Sequence, residues 1–140
     1  MRKKIIIIIL LCIIILIIFN LYINSRKNFP IAIQTIPVFF GVTESNEIVF
    51  VVDTDALKFG PAHKGGYNTR DLIITNPFLI KVRVNLTLSD EIKNVTFVAF
   101  NNFILQPNET INVTVKVKPD DSTPVGNYTG YLNVTFYRID

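Results

Sequence analysis

The chain has 140 residues, 49% of them hydrophobic, with fourteen Lys and Arg, eleven Asp and Glu, one His, one Cys and no Trp. A net charge of +3 invites a nucleic-acid reading, but Arg2, Lys3, Lys4, Arg26 and Lys27 all flank one apolar run. From Asn28 onward nine basic residues face eleven acids, a net of −2 with no basic stripe, which excludes a polyanion-binding surface.

The apolar run comes first. Ile5 to Phe19 is unbroken, with ten isoleucines among fifteen residues, and after Asn20 it continues through Leu21, Tyr22 and Ile23. Nineteen residues at roughly 1.5 Å each make about 28 Å of helix, close to the ~30 Å hydrocarbon core of a bilayer. Isoleucine is a middling helix former in water. In lipid the need to satisfy every backbone N–H and C=O internally overrides that preference. The competing reading, a cleaved signal peptide, wants a shorter apolar centre and small residues after it, whereas Asn20 to Asn24 is bulky. The expectation is therefore an uncleaved single-pass anchor. Arg2, Lys3 and Lys4 against Arg26 and Lys27 bias it to N-terminus inside and the rest outside. Cys12 lies within the run and reads as a small buried hydrophobe.

The predicted organisation is a basic cytoplasmic start (1–4), a transmembrane helix (5–23), a juxtamembrane connector or edge strand (24–47) and a β-sandwich (48–140). Pro30 and Pro37 keep the apolar segment 28–41 out of a central strand, because proline has no N–H to give. Thr43 to Glu47 is a polar turn. Ile48 to Val52 is a short strand that Ala56 to Gly60 continues, and Gly60 to Gly66 is loop on its Gly and Pro content. Arg70 to Thr75 is a strand stopped by Asn76-Pro77. Ile80, Val82, Val84, Leu86 and Leu88 alternate with polar residues, the period of a strand with one buried and one wet face. Val95, Phe97 and Ala99 are expected to share an inward face, and Phe103 to Leu105 follows the Asn101-Asn102 turn. Ile111, Val113, Val115 and Val117 alternate again, as do Tyr128, Leu132, Val134 and Phe136 at the end. Short strands punctuated by turns predict an all-β, immunoglobulin-like antiparallel sandwich of about seven strands, behind one transmembrane helix.

Three stretches carry a resemblance. Leu57-Lys58-Phe59-Gly60 with the turn and strand Gly66 to Asn76, Leu105-Gln106-Pro107-Asn108-Glu109-Thr110 with Val113, Val115, Val117 and Pro119, and Gly126-Asn127-Tyr128-Thr129-Gly130 are similar to the NPCBM-associated (NEW-type) immunoglobulin-like domain. The likeness spans about Val51 to Ile139 and implies an exported accessory or adhesive module without chemistry of its own. Tyr128 looks like the tyrosine corner of such sandwiches, with Gly130 where antibody domains have a disulfide cysteine. Abundant Ile and Asn, a cysteine-free exported part and many glycosylation sequons point to an archaeal envelope. In architecture alone, the chain is similar to monotopic β-sandwich proteins of the archaellum stator.

Six Asn-x-Ser/Thr sequons stand at Asn85, Asn94, Asn108, Asn112, Asn127 and Asn133, where about two are expected by chance. They read as glycosylation acceptors, though a wet strand face of Asn and Thr also generates them, because i and i+2 share that face. Asp53-Thr54-Asp55 and Asp120-Asp121 lack the spacing of a Ca²⁺ loop and read as solvated turns. His63, the single histidine, has no nucleophile and orienting partner in the pattern. No catalytic, metal or cofactor residue is predicted. Tyr131 and Tyr137, with Asn133 and Thr135 between them, form an outward row able to hold a protein or glycan partner. The functional expectation is a non-enzymatic cell-surface module contacting envelope protein. The alternative is an accessory carbohydrate-binding module.

Overall fold

The structure, a computed structural model, describes residues 2–26, 30–44 and 56–139, with side chains of the helix described over 9–22. One helix, α1 (Arg2–Arg26), precedes eight strands: β1 (Pro30–Thr43), β2 (Leu57–His63), β3 (Asn68–Thr75), β4 (Val82–Leu88), β5 (Thr96–Val98), β6 (Phe103–Leu105), β7 (Thr110–Val117) and β8 (Gly126–Arg138). The strands form two sheets, ordered β2-β1-β8-β4-β6 and β3-β7-β5. The expected strand Ile48 to Val52 and the pair Asp53 and Asp55 lie outside the described residues.

Alternation builds the core. Val38, Val82 and Val84 from the larger sheet and Val113, Val115 and Val117 from the smaller are all fully buried, as is Leu132. These side chains belong to one continuous cluster that both sheets share, so the molecule is a β-sandwich. Burial on this scale supplies the main driving force for folding, roughly 1.5–3 kcal/mol for each large side chain removed from water.

Five expectations need correction. The strands number eight among the described residues, and the sheets are not purely antiparallel, because β1 and β2 run parallel from Val38↔Leu57 to Thr43↔His63. The segment read as a connector or edge strand is β1, which pairs with β8 from Pro30↔Tyr137 to Val42↔Gly126. Its prolines explain how. Both Pro30 and Pro37 precede the first β2 pair at Val38, where β1 still has only β8 beside it. The proline rule holds for that half-strand and not for Val38 to Thr43, which is flanked on both sides.

Gly60 to His63 belongs to β2 rather than to a loop. Gly60 at φ 70° coincides with a register shift opposite Phe39 and Gly41, a bulge that lets an edge strand absorb Pro61. In β5 the phase is the reverse of the expected one. Ser89 to Val95 coils in a tight turn, with Lys93 N–H donating to Ser89 O at 3.1 Å and Val95 N–H to Ile92 O at 3.1 Å. That turn puts Ile92 and Val95 into the core, so the strand starts with Thr96 inward, 1% exposed, and Phe97 outward, 50% exposed.

Two amides, one buried and one exposed, hold the ends of strands. Asn76, fully buried, donates through Nδ2 to the carbonyls of Ile80 (2.9 Å), Leu105 (3.3 Å) and Gln106 (2.9 Å), and its Oδ1 accepts from Phe78 N–H at 3.0 Å. Asn101 extends the β4–β6 ladder by one rung: its Oδ1 accepts from Leu86 N–H and its Nδ2 donates to Leu86 O, both at 2.7 Å. The sheets are also tied at their open edges. Asn68 Nδ2 on β3 donates to Phe59 O and Pro61 O on β2, at 3.1 and 2.9 Å, and Arg70 Nε donates to Lys58 O at 3.0 Å.

α1 contrasts with all of this. Every described side chain from Ile9 to Tyr22 is exposed, including eleven isoleucine, leucine and phenylalanine residues between 48% and 66% exposed. Asn20, the polar interruption, returns its Nδ2 to Leu16 O at 3.1 Å, one turn back. Among the residues whose side chains are described, which cover fourteen of the twenty-five in α1, no helix is long and apolar enough to cross a membrane.

Candidate functional site

The β1–β8 register sets an outward face on the larger sheet. Pro37 sits beside Tyr131, Phe39 beside Thr129 and Gly41 beside Asn127. Toward the Gly126 end, this face opens into a shallow groove of about 590 Å³, bounded by Phe39, Pro61, Val125, Asn127 and Tyr128. Phe39 and Val125 are 38% and 54% exposed on its rim.

Local sequence shapes the groove. Tyr128 Oη donates to Pro124 O at 2.8 Å, four residues upstream, which is the hydrogen bond of a tyrosine corner. Its ring stacks parallel on the buried Phe40 with centroids 5.1 Å apart, so the polar tip is satisfied while the apolar body packs on the core side of the sheet, behind the groove. Gly126 at φ 157° turns the chain from the β7–β8 loop into β8. Gly130 is needed for another reason. A Cβ there would stand 2.6 Å from Ser89 Oγ and 2.8 Å from Ile92, so the turn before β5 packs directly on the β8 backbone. Ser89 completes that contact, its N–H donating to Tyr131 O at 2.9 Å and its Oγ accepting from Tyr131 N–H at 3.1 Å.

Tyr131 and Tyr137 do lie on the outward face, but they are unequal. Tyr131 is 53% exposed next to Pro37, whereas Tyr137 is half-buried between Pro30 and Arg83. Thr135 between them is buried at 8%, and Asn133 accepts from Thr35 Oγ1 at 2.8 Å. The row is therefore one accessible aromatic followed by a closed polar stretch.

The sequons separate by exposure. Asn94, Asn108, Asn112 and Asn127 are exposed, while Asn85 and Asn133 are half-buried within the sheet. Asn108 occupies a left-handed turn position at φ 59°, and Asn127 stands on the groove rim. Thr96, the hydroxyl residue of the Asn94 sequon, is buried with its Oγ1 unpartnered.

Asp120 is committed to its own turn. Its Oδ1 accepts from Ser122 Oγ and Thr123 Oγ1, both at 2.7 Å, and the Ser122 bond is the main reason its carboxyl is held below the usual aspartate range. Among the described residues no three of His, Cys, Asp and Glu come together as a metal site. His63 is exposed at the end of β2, with its imidazole lying against Gly66, where an added Cβ would overlap the ring. Cys12 is exposed on α1. Phe19 is 59% exposed there too. The side chains of Ile5 and Ile23 lie outside the described residues.

Sequence reasoning missed the groove and both amide clamps. Phe39-Phe40 gave the only usable signal for the groove, two consecutive aromatics in a strand, one of which has to face outward. No protein-family model matches the chain, and no curated protein or solved structure matches it either.

Proposed function

We propose that the chain is a membrane-anchored cell-surface module. On this reading α1 is an uncleaved single-pass anchor with its N-terminus inside, and the immunoglobulin-like sandwich stands outside the cytoplasmic membrane. The observation that carries it is the exposure of α1 on every side. A helix apolar all round needs an apolar medium, and the sandwich buries none of the described stretch 9–22. The sequence extends that stretch to Ile5 and Ile23, a length matched to a bilayer.

The work of the sandwich is non-enzymatic contact with an envelope protein, made through the groove between β2, β1 and β8 and the neighbouring Tyr131. An apolar floor with a rim of Asn127, Thr129 and Thr43 suits a protein segment that places one or two aliphatic side chains there. A second reading, glycan binding, draws on the same groove, because Phe39 offers ring surface beside hydrogen-bonding asparagine and threonine.

The tests are direct. Protease added to intact cells should digest the sandwich, and digestion only after lysis would overturn the address. A photo-cross-linking residue at Phe39 should capture an envelope protein that the same residue at Ile73, on the other sheet, does not. Binding of the full chain in detergent to immobilised polysaccharide, abolished by Phe39→Ala, would instead favour the glycan reading.

A further inference from the structure

The loop from Pro77 to Lys81 joins β3 to β4 at the end of the sandwich where β1 begins. Its geometry is fixed by Asn76, whose buried amide accepts from Phe78 N–H at 3.0 Å and donates to Ile80 O at 2.9 Å. Phe78 turns inward and meets Phe136 edge-on, with centroids 5.9 Å apart. Leu79 is consequently held out in solvent at 86% exposure, the most exposed large hydrophobic side chain among the described residues. A clamped loop that presents a bare leucine contrasts with the usual polar loop tip.

Its surroundings point one way. Lys81 and Arg138, both exposed, flank the tip, and Ile139 N–H reaches Lys81 O at 3.4 Å. Ile31, the second residue of β1, is 40% exposed at the same end. The acid described at this end is Glu109, whose Oε2 accepts from Gln106 N–H at 2.6 Å. Only three residues separate α1, ending at Arg26, from β1, starting at Pro30. Four peptide steps span at most about 14 Å, so this end of the sandwich is tied to the end of the helix.

We infer that the Pro77–Lys81 loop is a membrane-contacting tip. Leu79 enters the interfacial layer of the bilayer that α1 crosses, with Lys81 and Arg138 at the phospholipid headgroups. This rests on the proposed anchor and adds an orientation to it. One leucine and two basic residues are too weak to recruit a free domain, but a tether already holds the tip at the surface, where a small bias sets the tilt. The groove beside Val125 then points away from the membrane, toward the envelope.

The chain contains no tryptophan, so one can be introduced as a unique reporter. The full chain carrying Leu79→Trp is reconstituted into vesicles of phosphatidylcholine and phosphatidylglycerol with brominated acyl chains. Val125→Trp, at the opposite end and 54% exposed, is the reference. The expected result is blue-shifted emission and severalfold stronger bromine quenching at position 79 than at 125, in protein that floats with the vesicles. Floating protein whose two reporters are quenched alike, or more at 125, overturns the tip and leaves the anchor standing. Protein that does not float overturns both.

Discussion

The α1 helix and the sandwich are built from similar residues and treat them in opposite ways. In the sandwich, Val38, Val84, Val115 and Leu132 are fully buried because alternate residues of each strand face the other sheet. In α1, isoleucines as apolar as any of these stay 48% or more exposed, because residues 9–19 are apolar in every direction and leave no polar face to turn to water. The lesson concerns periodicity rather than hydrophobicity. A period of two lets a chain bury its apolar half against itself, whereas a run with no period transfers the burial to whatever surrounds it.

The comparison breaks most severely if charge is placed in α1. Ile13→Arg with Leu16→Arg should cost roughly 5–7 kcal/mol of insertion, at about 2.5–3.5 kcal/mol per central arginine. Co-flotation with vesicles should be lost while the unfolding midpoint of the sandwich in detergent stays unchanged. A shift in that midpoint would mean that α1 packs on the sandwich after all.

Next in size is Asn76→Ala, which removes the amide's bonds to three carbonyls and one N–H, the one to Leu105 O buried and the others partly so. Urea unfolding of the detergent-solubilised chain should show a loss of about 3 kcal/mol or more, from ~1–3 kcal/mol per buried group left without a partner. Asn101→Ala, at an exposed residue with two such bonds, should cost less. Gly130→Val follows, at about 1–3 kcal/mol, because its Cβ would press into Ser89 and Ile92. Tyr128→Phe removes a single hydrogen bond to Pro124 and should cost about 1 kcal/mol, leaving the stack on Phe40 intact.

The smallest effect is that of pH. Asp120 and Asp90 have lowered carboxyl pKa values, through Ser122 and Lys93 respectively. A depressed carboxyl contributes stability above its unfolded pKa and loses it as pH falls through the folded one. Unfolding midpoints should therefore be flat near neutrality and fall only below the ordinary aspartate range. Asp120→Asn should flatten part of that acid limb, and an unchanged limb would show that the Ser122 and Thr123 bonds contribute nothing.

Much of the sandwich could be read from spacing alone. The inward faces of β4, β7 and β8 follow directly from Val82-Val84-Leu86, Val113-Val115-Val117 and Leu132-Val134-Phe136. The tyrosine corner at Tyr128 was legible for a similar reason, since Gly126 and Gly130 bracket it. β5 was misread because its phase is set by the turn before it, where Ile92 and Val95 fill the core three residues apart. β1 was misread because a proline excludes a position between two strands only where both neighbours are present, and pairing with β2 begins one residue after Pro37.

The sequence by itself determined the division into an apolar helix and a β-rich body, because hydrophobic periodicity is local and needs no partner to be visible. It also marked which side of most strands turns inward. Only the tertiary structure decided that β1 lies between β2 and β8, that Asn76 gathers three carbonyls from two segments, and that the groove forms at the Gly126 end. Those features join residues distant along the chain, as Asn76 joins Leu105 and Phe39 joins Thr129, and register between distant strands is chosen by packing that no single stretch contains.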